Sequence, residues 1–170
     1  MEILLESSTI RNRVAEIGKQ VSADFAAAAK PPIVVCVLKG SSIFFADLIR
    51  EITIPVNIAF IGVSSYAGGT QSSGAVQLTQ DININIEGRD VILIEDIVDT
   101  GLTMSYLLEM IGARHPNRLQ VCTLLHKPSR KKTEVRLDYV GFVIEDRFVV
   151  GYGMDFNEEH RNLPDIRVIE

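Results

Sequence analysis

The sequence has little cysteine: two residues in 170, Cys36 and Cys122, which cannot supply a disulfide framework. Each lies inside an apolar run, IVVCVL or LQVCTLL, and reads as a buried, reduced thiol of a cytoplasmic protein. Long apolar stretches are missing too. The run from Ile33 to Leu38 is far too short to cross a bilayer. No charged-then-apolar start points to export, so neither secretion nor a membrane partner is expected. Positive charge is scarce, with 17 Lys and Arg against 22 Asp and Glu, a net charge of −5. That excludes a general basic surface for duplex nucleic acid or anionic lipid, and no nucleic-acid partner is expected. An anionic ligand must be met by locally placed cations and backbone amides. The three histidines, His115, His126 and His160, show no ligand spacing, so no zinc site is expected.

What remains is an ordinary globular balance, 46% hydrophobic and 23% charged, in a length that suits one domain over residues 1–170. A chain this long hides roughly two-thirds of its unfolded surface without a staple. Ile10, Val14, Ile17, Val21 and Phe25 fall on one helical stripe, so a helix is expected from Ser8–Thr9 until Pro31–Pro32 stops it. Ile33–Leu38 reads as a strand buried on both faces, and Ile43–Ile49 as a helix on a sheet. Pro55 opens a strand over Val56–Val63, and a glycine–serine loop follows over 64–74. Val76 and Leu78, with Ile82, Ile84 and Ile86, alternate with polar residues and suggest a half-exposed ribbon. Val91–Ile94, Leu119–Leu125 and Tyr139–Ile144 read as further strands, and Met104, Leu107, Leu108 and Ile111 as one face of a helix ending at Gly112. The alternation argues for an α/β fold with a mainly parallel sheet, whose sites lie at the carboxyl ends of the strands.

The segment richest in chemistry begins on such a strand: VILIEDIVDTGLT, residues 91–103. It delivers Glu95 and Asp96, then Asp99, then a small hydroxyl-and-glycine turn onto a helix N-terminus. The turn Asp99-Thr100-Gly101-Leu102-Thr103 can aim unpaired amides at one point, and Gly101 permits close approach by a phosphate. Thr100 and Thr103 add hydroxyl donors. Glu95 and Asp96 offer only acceptors, which suit Mg²⁺ or sugar hydroxyls. A phosphate cradle beside carboxylates fits a phosphorylated sugar. Competing phosphate motifs fail on spacing, since there is neither G-x-x-x-x-G-K-[ST] nor a G-x-G-x-x-G after a strand.

This stretch resembles the ribose-phosphate signature of the phosphoribosyltransferases, and the rest of the chain resembles their hypoxanthine-guanine branch. The supporting motifs are LKGS from Leu38, Ser65-Tyr66, His126-Lys127-Pro128, the run from Asp146 to Tyr152, and Asp155-Phe156-Asn157-Glu158 with Arg161. They run in the family's order. Leu102 departs from it, since some members carry lysine there, and a change of affinity rather than of reaction is expected.

The resemblance implies the type I phosphoribosyltransferase fold, a mainly parallel central sheet flanked by helices with a small hood from both chain ends. It implies Mg²⁺-dependent transfer of a 5-phosphoribosyl group from phosphoribosyl pyrophosphate to hypoxanthine or guanine, a purine-salvage reaction without an enzyme nucleophile. Lys39, Gly40 and Arg161 would hold pyrophosphate, the peptide before Lys39 being cis in the family. Glu95, Asp96 and Asp155 would serve Mg²⁺, Asp155 through water, and Glu95 and Asp96 also the ribose. Asp99 would accept the purine N7 proton as general base. Phe148 would stack on the base, Val149 would read its edge through the backbone, and Lys127 would donate to O6. Ser65 and Tyr66 would belong to a lid formed by loop 64–74. Arg130-Lys131-Lys132 with Arg136 read as a solvated edge. Family habit favours a homodimer or homotetramer. The rival reading is a regulator of the same fold that binds the donor or RNA as a signal; the full set Lys39, Asp99, Lys127 and Asp155, and the net charge, speak against it.

Overall fold

The computed structural model describes residues 1–65 and 76–169, with Ser65 described by its backbone only. In chain order the elements are β1 (Glu2–Leu5), α1 (Ser7–Asp24), β2 (Ile33–Leu38), α2 (Ser42–Glu51), β3 (Asn57–Ser65), β4 (Val76–Gln80), β5 (Asp90–Val98), α3 (Leu102–Gly112), β6 (Arg118–His126), a 3₁₀ turn at Pro128–Arg130, β7 (Tyr139–Val143), β8 (Val149–Val150) and β9 (Ile166–Val168). Tyr66 and nearly all of the expected lid lie outside the described residues.

The six-stranded sheet has the order β4-β3-β2-β5-β6-β7. All neighbours are parallel except β4, which runs antiparallel to β3 at the edge. A strand alternates its side chains between faces, and in the inner strands both sets are apolar. On one face Val34, Cys36, Ile92 and Ile94 pack with the α1 stripe and with Phe44 and Leu48 of α2. On the other, Ile33, Val35, Val37, Val91 and Leu93 meet Met104, Leu107 and Ile111 of α3. Parallel pairing sends the carboxyl ends of β2, β3, β5, β6 and β7 to one edge of the sheet. Over that edge sits the hood, a three-stranded sheet β1-β9-β8 built from both chain ends, with Glu2 opposite Val168 and Val149 opposite Val168 on the other side. Val149, Tyr152, Met154 and Ile166 continue the α1–α2 core into it.

Three expectations are corrected. Helix α1 ends at Asp24, well before Pro31, because Phe25 turns into the core beneath the Arg118 guanidinium, 4.2 Å from its ring centre. The ribbon stops at Gln80; Ile82 and Ile86 are buried on the α3 side of the sheet instead of forming a strand. Strand β5 runs four residues past Ile94, because Ile97 and Val98 still pair with Leu125 and His126 of β6. Glu95 and Asp96 are therefore strand residues.

Candidate functional site

Each site element begins where a strand runs out. After β2 the chain turns sharply through a cis peptide between Leu38 and Lys39. The turn is anchored from within by the Ser41 hydroxyl, fully buried and donating to the Val37 carbonyl at 2.6 Å. Gly40 then packs directly on the Asp96 carboxylate: a Cβ there would lie 1.9 Å from Oδ2. The hood closes on the same turn, where a Cβ at Gly153 would lie 2.3 Å from the Gly40 carbonyl oxygen.

Strand β5 hands over to α3 through the turn Asp99–Gly101. Gly101 has φ +85°, and Thr133 and Val135 lie so close that no side chain fits. The Thr100 carbonyl accepts from the amides of Lys132 and Thr133 at 2.9 and 3.1 Å, which pins the 131–135 segment behind the turn. The Leu102 amide makes a long hydrogen bond to Thr100 Oγ1 at 3.4 Å, and the N-terminus of α3 presents its first-turn amides toward an anion. Thr100, Gly101 and Thr103 line a small cavity of about 80 Å³ there, with Glu95 in its wall.

Glu95 and Thr103 also face a second cavity, about 290 Å³, where they meet Gly40, Asp96, Asp155 and Arg161. Asp96 and Asp155 are shared in turn with a third, about 240 Å³, whose walls are Asp99, Lys127, Arg130, Phe148 and Val149. So three adjoining cavities lie along the strand ends. A larger one, about 590 Å³, lies between α1, α2 and the hood. It carries none of the strand-end carboxylates, and its Tyr152 hydroxyl is already spent on Asp47.

The charges are paired. Lys39 Nζ meets Glu158 at 2.8 Å, and Arg161 meets Asp155 at 3.0 Å and Glu158 at 3.3 Å. Arg161 also donates to the Gly153 carbonyl at 2.8 Å, while its Nε is buried without a partner among the described residues. Lys127 is 5% exposed, its Nζ 3.9 Å from Asp146. Arg130 is exposed, as the basic run suggests, but it is also paired, 3.1 Å from Asp99 and 3.5 Å from Asp146; its sequence neighbours conceal the pairing because it spans three segments. Phe148 is 53% exposed with its ring edge-to-face on Phe156 at 5.6 Å, and Val149 is buried in β8. Leu102 is partly exposed at the first position of α3. Phe156 and Glu158 lie inside a sequence motif that gives them no role, and Arg130 lies outside the motifs altogether.

Burial, and next the adjacent Asp96 carboxylate, push Glu95 well above the usual carboxylate range. Burial raises Asp96 as well, opposed by its hydrogen bond with Glu95, by the Ile97 amide and by the Arg161 charge. Two acids so placed call for a proton or a cation. Among the described residues no three His, Cys, Asp or Glu side chains converge as a closed metal site. Mg²⁺ needs no such cage, since it binds through one or two carboxylates together with substrate phosphates. The donor set fits a magnesium that arrives with its phosphates.

The phosphoribosyl transferase domain family matches residues 2–157. The hypoxanthine-guanine phosphoribosyltransferase of Staphylococcus aureus strain Mu50 is 44% identical over 169 residues, covering 99% of this chain and 93% of that protein. The Mycobacterium avium enzyme of the same name is 43% identical over 172 residues, covering 99% and 85%. The crystal structure of a Staphylococcus aureus hypoxanthine phosphoribosyltransferase superposes with a TM-score of 0.93 at 44% identity, covering 100% of this chain and 91% of that one.

Proposed function

The chain belongs to the phosphoribosyltransferase family, in its hypoxanthine-guanine branch, and from that premise we propose how this site carries the reaction. It is a transferase that moves the 5-phosphoribosyl group of phosphoribosyl pyrophosphate to a 6-oxopurine, releasing pyrophosphate and the nucleoside monophosphate. The observation that carries the assignment of parts is the row of three cavities with shared walls. The 5-phosphate takes the amides and hydroxyls of Thr100–Thr103, the ribose and pyrophosphate take the middle cleft, and the base takes the third. Asp96 and Asp155, common to the last two, flank the bond being exchanged.

As the bond from ribose C1 to pyrophosphate breaks and the bond to purine N9 forms, positive charge builds on the sugar. Glu95 and Asp96 accept from its hydroxyls and stabilise that charge. Lys39, the Gly40 amide and Arg161 receive the departing pyrophosphate, which must displace Glu158 from both cations. Asp99 accepts the proton from N7. Lys127 has donors only, so it suits the keto oxygen of a 6-oxopurine and rejects the amino group of adenine. Phe148, more than half exposed, is available to stack on the base. Magnesium, when bound by Glu95 and Asp96 and through water by Asp155, would neutralise phosphate charge.

The test offers each purine singly to the protein with Mg²⁺ and phosphoribosyl pyrophosphate, and separates the products by chromatography. Inosine or guanosine monophosphate is expected, with essentially no adenosine monophosphate; comparable turnover of adenine would sink the role given to Lys127.

No helix of the described residues is long and apolar enough to cross a membrane. A cytoplasmic setting is supported by Cys36 and Cys122, both free and buried. Self-association as a homodimer or homotetramer is supported by Ile58 and Phe60, 47% and 37% exposed on one face of β3. Sedimentation tests it.

A further inference from the structure

We infer that Arg130 is a positioning residue that orients the Asp99 carboxylate, with Asp146 tying Arg130 to Lys127 so that the proton acceptor and the O6 donor are held as one unit. This rests on the base pocket proposed above. Asp99 Oδ1 is sealed from solvent and accepts no hydrogen bond among the described residues. The cation set against it is Arg130, with Nε at 3.1 Å. Arg130 ends the 3₁₀ turn that follows Lys127, its amide donating to the Lys127 carbonyl at 3.3 Å. The Lys127 amide donates in turn to the Val98 carbonyl, the residue before Asp99, at 3.0 Å. Asp146, two residues before the stacking Phe148, forms ion pairs with Arg130 Nη1 at 3.5 Å and Lys127 Nζ at 3.9 Å.

Three segments, the ends of β5 and β6 and the entry to β8, thus meet in the sequence of charges Asp99, Arg130, Asp146, Lys127. The Arg130 ion pairs, open to solvent on the arginine side, add little to stability. Their effect lies in geometry. In a 6-oxopurine, N7–H and O6 project from the same edge of the ring, so a carboxylate and an ammonium must stand side by side at a set spacing. An aspartate on a turn has no rotamer imposed by packing. Occupying Oδ1 with the Arg130 guanidinium leaves one carboxylate oxygen to face N7, and the shared Asp146 fixes Lys127 relative to it.

The experiment measures kcat, the KM of each substrate and thermal unfolding for Arg130→Gln, Arg130→Lys, Asp146→Asn, Asp99→Asn and the double variant Arg130→Gln/Asp99→Asn. Misplacing an acid–base group by an ångström costs on the order of 10²-fold. Arg130→Gln is expected to lower kcat by roughly 10- to 100-fold, with donor KM and unfolding temperature held, and Arg130→Lys to recover part of the loss. Because Arg130 acts through Asp99, the double variant should turn over no more slowly than Asp99→Asn alone. Asp146→Asn should raise the purine KM several-fold. Wild-type kcat in Arg130→Gln, or a double variant that loses the product of both single effects, would overturn the inference. Should Arg130→Gln fail to fold, unchanged kcat and purine KM in both Arg130→Lys and Asp146→Asn would overturn it equally. A wild-type protein that makes no nucleotide from any purine would refute the function itself, which is a separate outcome.

Discussion

Gly101→Ala bears directly on the phosphate cradle. Two costs arise from the structure. At φ +85° an L-residue carries roughly 1–2 kcal/mol of backbone penalty. The new Cβ would lie 2.6 Å from the Thr133 carbonyl oxygen and 2.8 Å from Val135 Cγ2, and a carbonyl cannot swing aside as a side-chain tip can. Moving that segment disturbs the two hydrogen bonds from Lys132 and Thr133 to the Thr100 carbonyl, each worth about 0.5–1.5 kcal/mol net. The sum is about 2–5 kcal/mol. For a chain of this length it lowers the unfolding temperature by roughly 4–20 °C. Gly88→Ala separates the two causes: Gly88 has φ +68° but nothing within 4 Å of its Cβ position, so only the backbone penalty applies, roughly 2–8 °C. Differential scanning calorimetry measures the stabilities, and donor KM reports the cradle, expected to rise about tenfold or more in Gly101→Ala and to stay level in Gly88→Ala. If the two variants unfold together and Gly101→Ala keeps its donor KM, the 131–135 segment does not brace the turn and the reasoning fails.

Asp99→Asn should cut turnover by roughly 10²–10⁴-fold with donor KM nearly unchanged, measured by steady-state kinetics; full turnover with weakened donor binding would move Asp99 into the cradle. Glu158→Gln should tighten pyrophosphate binding by roughly two- to fivefold in calorimetry, because Lys39 and Arg161 lose a competing carboxylate. The Lys39 hydrogen bond lowers the Glu158 pKa, so Glu158 stays charged through neutral and mildly acidic pH. The difference between the two proteins should vanish only as pH falls through that lowered value, and weaker binding in the variant would show that Glu158 aligns the cations. Leu102→Lys adds a cation at the first residue of α3 and should lower donor KM a few-fold while leaving the products unchanged; a new product would contradict the backbone nature of the cradle.

Much of this was legible along the chain because it is written locally. The α1 stripe recurs every three or four residues, β2 is a run of β-branched residues, and the turn at Gly101 needs one residue type at one place. These follow from periods of helix and strand and from the steric freedom of glycine, which any short segment carries by itself. Strand ends were less legible. Acidic residues at 95 and 96 look like the close of β5, yet pairing with β6 carries the strand on to Val98. Alternation at Ile82, Ile84 and Ile86 looks like a strand, yet Ile82 and Ile86 find burial beside α3 without one.

The sequence alone therefore determined the α/β class, the order of the main elements and the strand-end address of Lys39, Asp99 and Lys127. Tertiary structure decided what stands against what. Strands β8 and β9, of two and three residues, are too short to show a period, and β9 exists by pairing with β1 from the far end of the chain. The same closure sets Gly153 on Gly40 and brings Glu158 to Lys39 across 119 positions. Arg130 looked like one member of a basic run, and only folding put it against Asp99 and Asp146. A residue's period follows from its neighbours in the chain, but its partner depends on which distant backbone the core brings within a few ångströms, and no local pattern encodes that distance.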